Sequence, residues 1–130
     1  MANVQLKAYK VSEVNFFNKV QGKQQLKFSN KVSYNVRYSG TQFCEGTLSV
    51  EVYDKENPDT ISVKVSVMGA FDILKNMEKE FIHVETFNEL FPIAKAFVLT
   101  LSTNAGIPPI FLQNVNIENQ EIYRMEMGKQ

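Results

Sequence analysis

Residues 86–116 read TFNELFPIAKAFVLTLSTNAGIPPIFLQNVN and form the one long helical pattern in this sequence of 130 residues. At 100° per residue, one helix face collects the apolar side chains Phe87, Leu90, Phe91, Ala94, Phe97, Val98 and Leu101. A second apolar strip, roughly opposite, consists of Ile93, Ala96 and Leu99. A helix that packs on a single core is polar on its back. The pattern therefore predicts a helix that is buried from two sides.

The ends of this helix are marked by local signals. Thr86 followed by Glu89 is a capping-box pattern, which predicts a start at Thr86, and Asn88 is the alternative cap. The end is expected near residues 104–106, ahead of the two consecutive prolines at 108 and 109. After Asn116 we expect a short final helix. Residues 74–85 are ambiguous, because either a short helix or an irregular crossover fits them.

Four segments before the helix alternate between apolar and polar residues, as half-buried β-strands do. The first begins at Val4 and changes parity near Tyr9–Lys10, where we expect a β-bulge. The others cover residues 26–38, 44–52 and 61–73, with turn-rich loops at 39–42 and 54–60. The prediction is one domain over residues 1–130, an α+β fold. Its four-stranded antiparallel meander is followed by one long and one short C-terminal helix.

Composition excludes several classes of partner. Fourteen basic and fourteen acidic residues leave no net charge, so there is no electrostatic basis for binding nucleic acid or a membrane surface. No apolar run reaches the ~18 residues of a membrane span, and the first residues do not resemble a signal peptide. The single cysteine, Cys44, fits a reducing compartment. We therefore expect a cytoplasmic protein.

The sequence offers little material for catalysis. His83 is the single histidine, so a metal site or dyad built on two histidines is excluded. Cys44 has the parity of the apolar strand face, where we expect a small buried side chain and not a nucleophile. Asp72 is the one strand acid among apolar neighbours, and its parity places it on the wet face. We predict no enzyme activity, no metal and no cofactor.

A size comparison indicates an oligomer. Four strands spaced ~4.8 Å apart make a sheet about 19 Å wide, whereas a helix with its side chains is about 10 Å across. One helix cannot cover that apolar face alone. We therefore expect a homo-oligomer in which a second subunit packs on the long helix.

The segment before the helix is rich in apolar residues that function could use. These are Phe71, Ile73, Leu74, Met77, Phe81, Ile82, Val84 and Phe87. They either complete the core or line a groove beside the sheet that accepts an extended apolar peptide. The sequence pattern leaves both interpretations open.

Several motifs resemble those of SecB-type export chaperones. LFPIAK (90–95), followed by Pro108, Ile110, Leu112, Val115 and Asn116, resembles the helical half of that family's signature. MGAFDI (68–73) resembles the end of the family's last strand, and KVSEVNF (10–16) resembles its first strand. Together these stretches span almost the whole chain.

The resemblance implies a fold, an assembly and an activity. It implies a homotetramer, a dimer of dimers, whose long helices are sandwiched between sheets. Contacts between subunits would fall on Ile93, Ala96, Phe97 and Leu99. It further implies an ATP-independent chaperone that holds unfolded or pre-export client proteins in apolar grooves between the crossover segment and the sheet.

The sequence departs from the family at the positions where the SecA motor docks on acidic residues. Glu13 matches one such position, but Phe17 and Lys64 occupy two others. We therefore do not expect SecA docking in the usual manner. Three functions follow as alternatives: a general client-holding chaperone, a specialised chaperone of one partner such as an antitoxin, and a structural or ligand-binding module whose groove is filled by its own side chains.

Overall fold

The computed structural model describes residues 3–22, 26–107 and 109–112. The elements are β1 (Val4–Asn18), β2 (Phe28–Tyr38), β3 (Phe43–Asp54), β4 (Ile61–Ile73) and α1 (Lys79–Asn104). The predicted α+β fold, a four-stranded antiparallel sheet followed by a long helix, is confirmed. The predicted short final helix lies outside the described residues.

The strand order in the sheet is β1-β4-β3-β2. Strands β2, β3 and β4 form consecutive antiparallel hairpins, and β1 pairs with β4. The first two strands are therefore the two edges of the sheet, and the last two form its centre. The predicted meander thus consists of β2, β3 and β4, and β1 joins it beside β4 and not beside β2, which the loop lengths did not indicate.

Strand β1 contains two irregularities where the sequence predicted one. The register with β4 shifts between Leu6 and Ala8 and again between Val11 and Glu13. The predicted position near Tyr9–Lys10 was therefore wrong. Each shift adds one residue to β1, so the following apolar residue returns to the side that faces the helix. This is why the apolar parity of the strand changes twice.

Helix α1 begins at Lys79, well before the predicted start at Thr86. Glu78 is the N-cap and makes no side-chain capping hydrogen bond. The capping-box interpretation was wrong, because Thr86 is buried inside the helix and its hydroxyl donates to the carbonyl of Ile82 at 2.8 Å. The predicted end is confirmed: the last helical residue is Asn104, and Gly106 has a φ of +79°.

The core lies between one face of the sheet and α1. The buried apolar residues of the central strands are Cys44, Leu48, Val50, Val52, Ile61, Val63, Val65, Val67, Phe71 and Ile73. The helix contributes Ile82, Phe87, Leu90, Phe91, Ala94 and Val98. Cys44 is fully buried, as its parity predicted. Apart from Ile61, the two sets belong to one apolar cluster, which holds the helix on the sheet.

Two glycines lie side by side at the centre of this face. Gly46 of β3 and Gly69 of β4 are direct partners in the sheet. A Cβ atom on Gly46 would overlap the Tyr34 hydroxyl, and one on Gly69 would lie 2.7 Å from Leu90 Cδ2 and 3.1 Å from Leu6 Cδ1. The pair thus leaves a depression that a tyrosine from β2 and a leucine from α1 fill.

Tyr34 joins the sheet to the helix through this depression. The side chain is fully buried, and its hydroxyl donates a hydrogen bond to Thr86 Oγ1. Its ring makes edge-to-face contacts with His83, with centroids 5.0 Å apart, and with Phe87, at 5.5 Å. Because a buried hydroxyl without a partner is costly, the bond to Thr86 fixes which turn of the helix lies over β2.

Substituting Gly46→Ala should destabilise the fold by ~1–3 kcal/mol, because the added methyl forces Tyr34 out of its position. Tyr34→Phe alone should cost about 1 kcal/mol through the lost hydrogen bond to Thr86. The double variant should lose less than the sum, since removing the hydroxyl removes the closest atom to the new methyl; the ring carbon Cζ at 2.9 Å would keep part of the cost. Urea unfolding at one fixed protein concentration measures all four proteins, and strict additivity would contradict this packing.

Candidate functional site

Four of the eight residues predicted for a client groove lie inside the core. Phe71 and Phe87 are fully buried, and Ile73 and Ile82 are nearly so. The strand residues have the parity that faces α1, and the helix residues point back at the sheet. In this structure these four side chains pack in the core and are not available at the surface.

The other four lie at or near the surface around the crossover from β4 to α1. Leu74 is 56% exposed and Phe81 is 55% exposed. Met77 and Val84 are half-buried and pack against the core cluster. We name Leu74, Met77, Phe81 and Val84 the crossover surface. Sequence reasoning grouped all eight because it identified apolar residues without showing what covers them.

The crossover is held by residues from two distant parts of the chain. The backbone N–H of Leu74 donates to the carbonyl of Asn3 at 2.8 Å, and Asn3 Nδ2 donates to Glu85 Oε2 at 2.7 Å. The N–H of Ile73 donates to the carbonyl of Gln42, in the β2–β3 turn, also at 2.8 Å. Asn3 was missed in the sequence because nothing in its local pattern indicates a contact with the helix.

The sheet leaves part of the helix surface uncovered. This part includes Phe97, which the periodicity placed on the core face, and Ile93, which also packs against the core cluster. Ile93 and Leu99 are half-buried, while Ala96 and Phe97 are exposed in the described chain, Phe97 by 36%. We name these four residues, which the sequence predicted as subunit contacts, the outer helix strip. An assembly through them remains a prediction.

A trough runs along each side of this strip. One has a volume of about 460 Å³ and is lined by Tyr9, Pro92, Ile93, Ala96, Phe97, Thr100 and Leu101. The other, about 380 Å³, is lined by Pro92, Lys95, Ala96, Leu99, Ile110, Phe111 and Leu112. Both linings are largely apolar, so contact with water is unfavourable there.

Two aromatic residues beside these troughs were missed by sequence reasoning. Tyr9 lies on the helix side of β1, opposite Gly69, and is 55% exposed, because α1 covers this edge strand only in part. Phe111 is 72% exposed. The segment that carries it is fastened to the helix end, since the N–H of Ile110 donates to the buried Ser102 hydroxyl at 2.9 Å.

The opposite face of the sheet has charges of both signs. The carboxylate of Glu13 lies 3.9 Å from the Lys64 ammonium, and Arg37 donates to Glu45 at 2.9 Å. The Lys19 ammonium lies 5.6 Å above the ring of Phe17. Glu13, the residue predicted for motor docking, thus has a lysine beside it on the neighbouring strand. Exposed ion pairs add little stability, but this one offsets the charge that such docking would use.

Burial shifts the pKa of two side chains among the described residues. Burial raises the pKa of Cys44 to about 11, so its thiol is protonated at neutral pH and a poor nucleophile. Burial lowers the pKa of His83 below its usual value. Within residues 3–22, 26–107 and 109–112, no three His, Cys, Asp or Glu side chains are grouped to hold a metal ion. Nor does the described chain contain a helix with the length and apolar character of a membrane span.

Comparison with curated proteins gives two distant relatives. An uncharacterized protein of Methanocaldococcus jannaschii, MJ0357, is 23% identical over 118 residues, covering 84% of this chain and 76% of that protein. The protein-export protein SecB of Neorickettsia sennetsu is 36% identical over 73 residues. That match covers 50% of this chain and 44% of SecB, so less than half of the SecB chain is spanned. No family model matches the sequence.

Comparison with solved structures gives a closer likeness in fold. The SecB-like chaperone Rv1957 of Mycobacterium tuberculosis was solved in complex with a ChAD peptide from the Rv1956 HigA1 antitoxin. It superposes with a TM-score of 0.67 over 88% of each chain, at 14% identity. Together with the SecB match, this shared fold confirms the resemblance predicted from LFPIAK and its flanking motifs. The chain therefore has a SecB-like fold.

Proposed function

We propose that this protein is an ATP-independent chaperone that holds unfolded client polypeptides at the crossover surface. The observation that carries the proposal is the pair of exposed apolar side chains, Leu74 and Phe81, on either side of the half-buried Met77. The proposal limits client contact to the crossover surface. The four buried residues of the predicted groove, Phe71, Ile73, Ile82 and Phe87, support it from below.

The chemistry of the crossover surface suits clients without a fixed sequence. Apolar burial is non-directional, so any exposed aliphatic or aromatic segment gains ~1.5–3 kcal/mol per side chain that it buries. Methionine adapts its shape to different partners. Such binding needs no nucleotide, metal or catalytic residue, and we propose no catalytic role. The lone buried cysteine fits work in the reducing cytoplasm.

We further propose a homotetramer, a dimer of dimers, built through the outer helix strip. Ala96 is small and exposed, so two helices could approach closely at this point. The troughs beside it would accept side chains such as Phe97 and Phe111 from a second copy. This arrangement would explain why the helix is apolar on two sides. It would also bury the apolar surface that is exposed to water in a monomer.

A specialised chaperone of one partner is the second candidate. Two observations favour it over general export. Rv1957, which shares the fold, binds an antitoxin peptide. The outer sheet face of this chain has Lys64 beside Glu13 and a lysine above Phe17, which disfavours an acid-directed contact with a SecA-type motor. A dedicated partner such as an antitoxin requires no such contact.

Purified wild-type protein should suppress aggregation of an unfolded model protein at near-stoichiometric ratio, as measured by light scattering. Phe81→Ser and Leu74→Ser should each weaken client affinity by about tenfold, because each removes roughly 1.4 kcal/mol or more of apolar contact. Phe17→Ser, an exposed aromatic on the other face of the sheet, is the matched control and should behave as wild type. A folded wild type that fails to suppress aggregation would show that the proposal is wrong.

The tetramer predicts a solution mass of about 60 kDa by light scattering, from four chains of 14.9 kDa. Ala96→Lys should lower this mass, because a buried unpaired ammonium at the subunit contact is costly. Asn104→Lys, which adds the same charge at the exposed end of the helix, should leave the assembly intact. A wild type of 14.9 kDa would contradict the proposed role of the outer helix strip.

The two candidate functions differ in their partners. A specialised chaperone should recover one dominant protein from its own host by pull-down, and removing the chaperone gene should shorten the lifetime of that protein. A general chaperone should recover many unfolded proteins. Phe81→Ser should reduce recovery in both cases, since the same surface is used. The number of recovered proteins therefore decides between the candidates.

A further inference from the structure

The first two turns of α1, residues 79–86, are attached to the sheet around the single histidine of the chain. The His83 ring contacts the buried Tyr34 ring edge-to-face, with centroids 5.0 Å apart and planes at 68°. The Tyr34 hydroxyl binds Thr86, whose own hydroxyl lies 3.2 Å from the His83 carbonyl. Histidine, tyrosine and threonine thus form one cluster between helix and strand β2. We name it the latch.

The latch holds a part of the helix that has few other attachments. The N-cap residue Glu78 makes no side-chain capping bond, and Phe81 is largely exposed. Ile82 is the one apolar residue of residues 79–85 that is buried. From Phe87 onward the helix is anchored in the core at every turn. The helix start is therefore the part of α1 that local opening releases most readily.

The charged groups near the latch come from the helix itself. On α1, Lys79 and Glu80 precede His83 by about one turn, and Glu85 is engaged by Asn3. The Lys79 ammonium lies 4.7 Å above the Tyr38 ring of β2.

On the same face of the sheet, β2 and β3 contribute neutral titratable groups. These are the phenols of Tyr34 and Tyr38 and the thiol of Cys44, which burial keeps protonated. Among the described residues, Glu80 is a carboxylate about one turn before His83, and its side chain is exposed.

We infer that protonation of His83 opens the latch and releases the helix start, so that mild acid loosens the crossover end of the protein. A charged imidazolium is disfavoured where the ring is withdrawn from water against Tyr34. The same burial lowers the pKa of His83 in the closed state, whereas the open state recovers the ordinary value near 6.5. The latch is thus fully effective above the ordinary pKa and weakens as the pH falls through it.

The expected size of the effect follows from that titration. At about pH 5.5, one unit below the ordinary pKa, the open state should gain up to about tenfold in population relative to about pH 7.5. Carboxylates of ordinary pKa stay ionised over this range, and the chain has one histidine. A change that begins as the pH falls through about 6.5 and is confined to the helix start therefore reports His83.

Hydrogen exchange tests the inference directly. Protection factors of amides 81–87, corrected for the intrinsic effect of pH, should fall severalfold in the wild type between about pH 7.5 and about pH 5.5. His83→Gln, which cannot titrate, should remove this dependence. Tyr34→Phe, which loses the bond to Thr86, should lower protection at both pH values and keep the dependence. Equal pH dependence in wild type and His83→Gln would overturn the inference.

An NMR titration of the wild type gives an independent test if His83→Gln does not fold. The chain contributes one histidine signal, and its pKa in the native protein should lie below 6.5. A value at or above 6.5 would overturn the inference. Neither test involves a client, so the latch stands or falls separately from the proposed chaperone function.

Discussion

The close packing of α1 against the paired glycines of β3 and β4 is the constraint on which the rest of this structure depends. Without side chains at Gly46 and Gly69, the centre of the sheet admits the Tyr34 phenol from one side and Leu90 from above. The phenol then hydrogen-bonds Thr86, which fixes the helix along its own axis. This contact is sensitive to small changes in side-chain volume, because protein interiors hold few voids and a single added methyl group has no free space.

A helix fixed over the central strands leaves the edges of the sheet short of cover. On β1, Tyr9 faces the helix side and is still exposed, and the outer helix strip borders two apolar troughs. The same geometry places the helix start beyond the best-packed region, where Leu74 and Phe81 reach the surface. The surface proposed for an assembly and the surface proposed for clients thus have one origin. A single helix is too narrow for the sheet beneath it.

The latch lies at the boundary between the anchored helix and its exposed start. Tyr34 belongs to the glycine depression through its hydroxyl and to the latch through its ring. Opening of the latch would therefore leave the packing of Leu90 over Gly69 intact, and α1 would still cover the central strands. If clients bind at the crossover surface, acid would act beneath that site and not on the side chains that touch the client.

The sequence by itself determined the strands, the long helix, its end near Asn104, the buried Cys44 and the resemblance to SecB. These depend on alternation, helical periodicity and short motifs, all of which are properties of neighbouring residues. Only the tertiary structure decided the strand order, the two shifts in β1, the helix start at Lys79 and the division of the eight groove residues into core and surface. Burial depends on what distant segments cover. Phe81 and Phe87 are the same residue type, only six positions apart, yet Phe81 is exposed and Phe87 is buried against Tyr34.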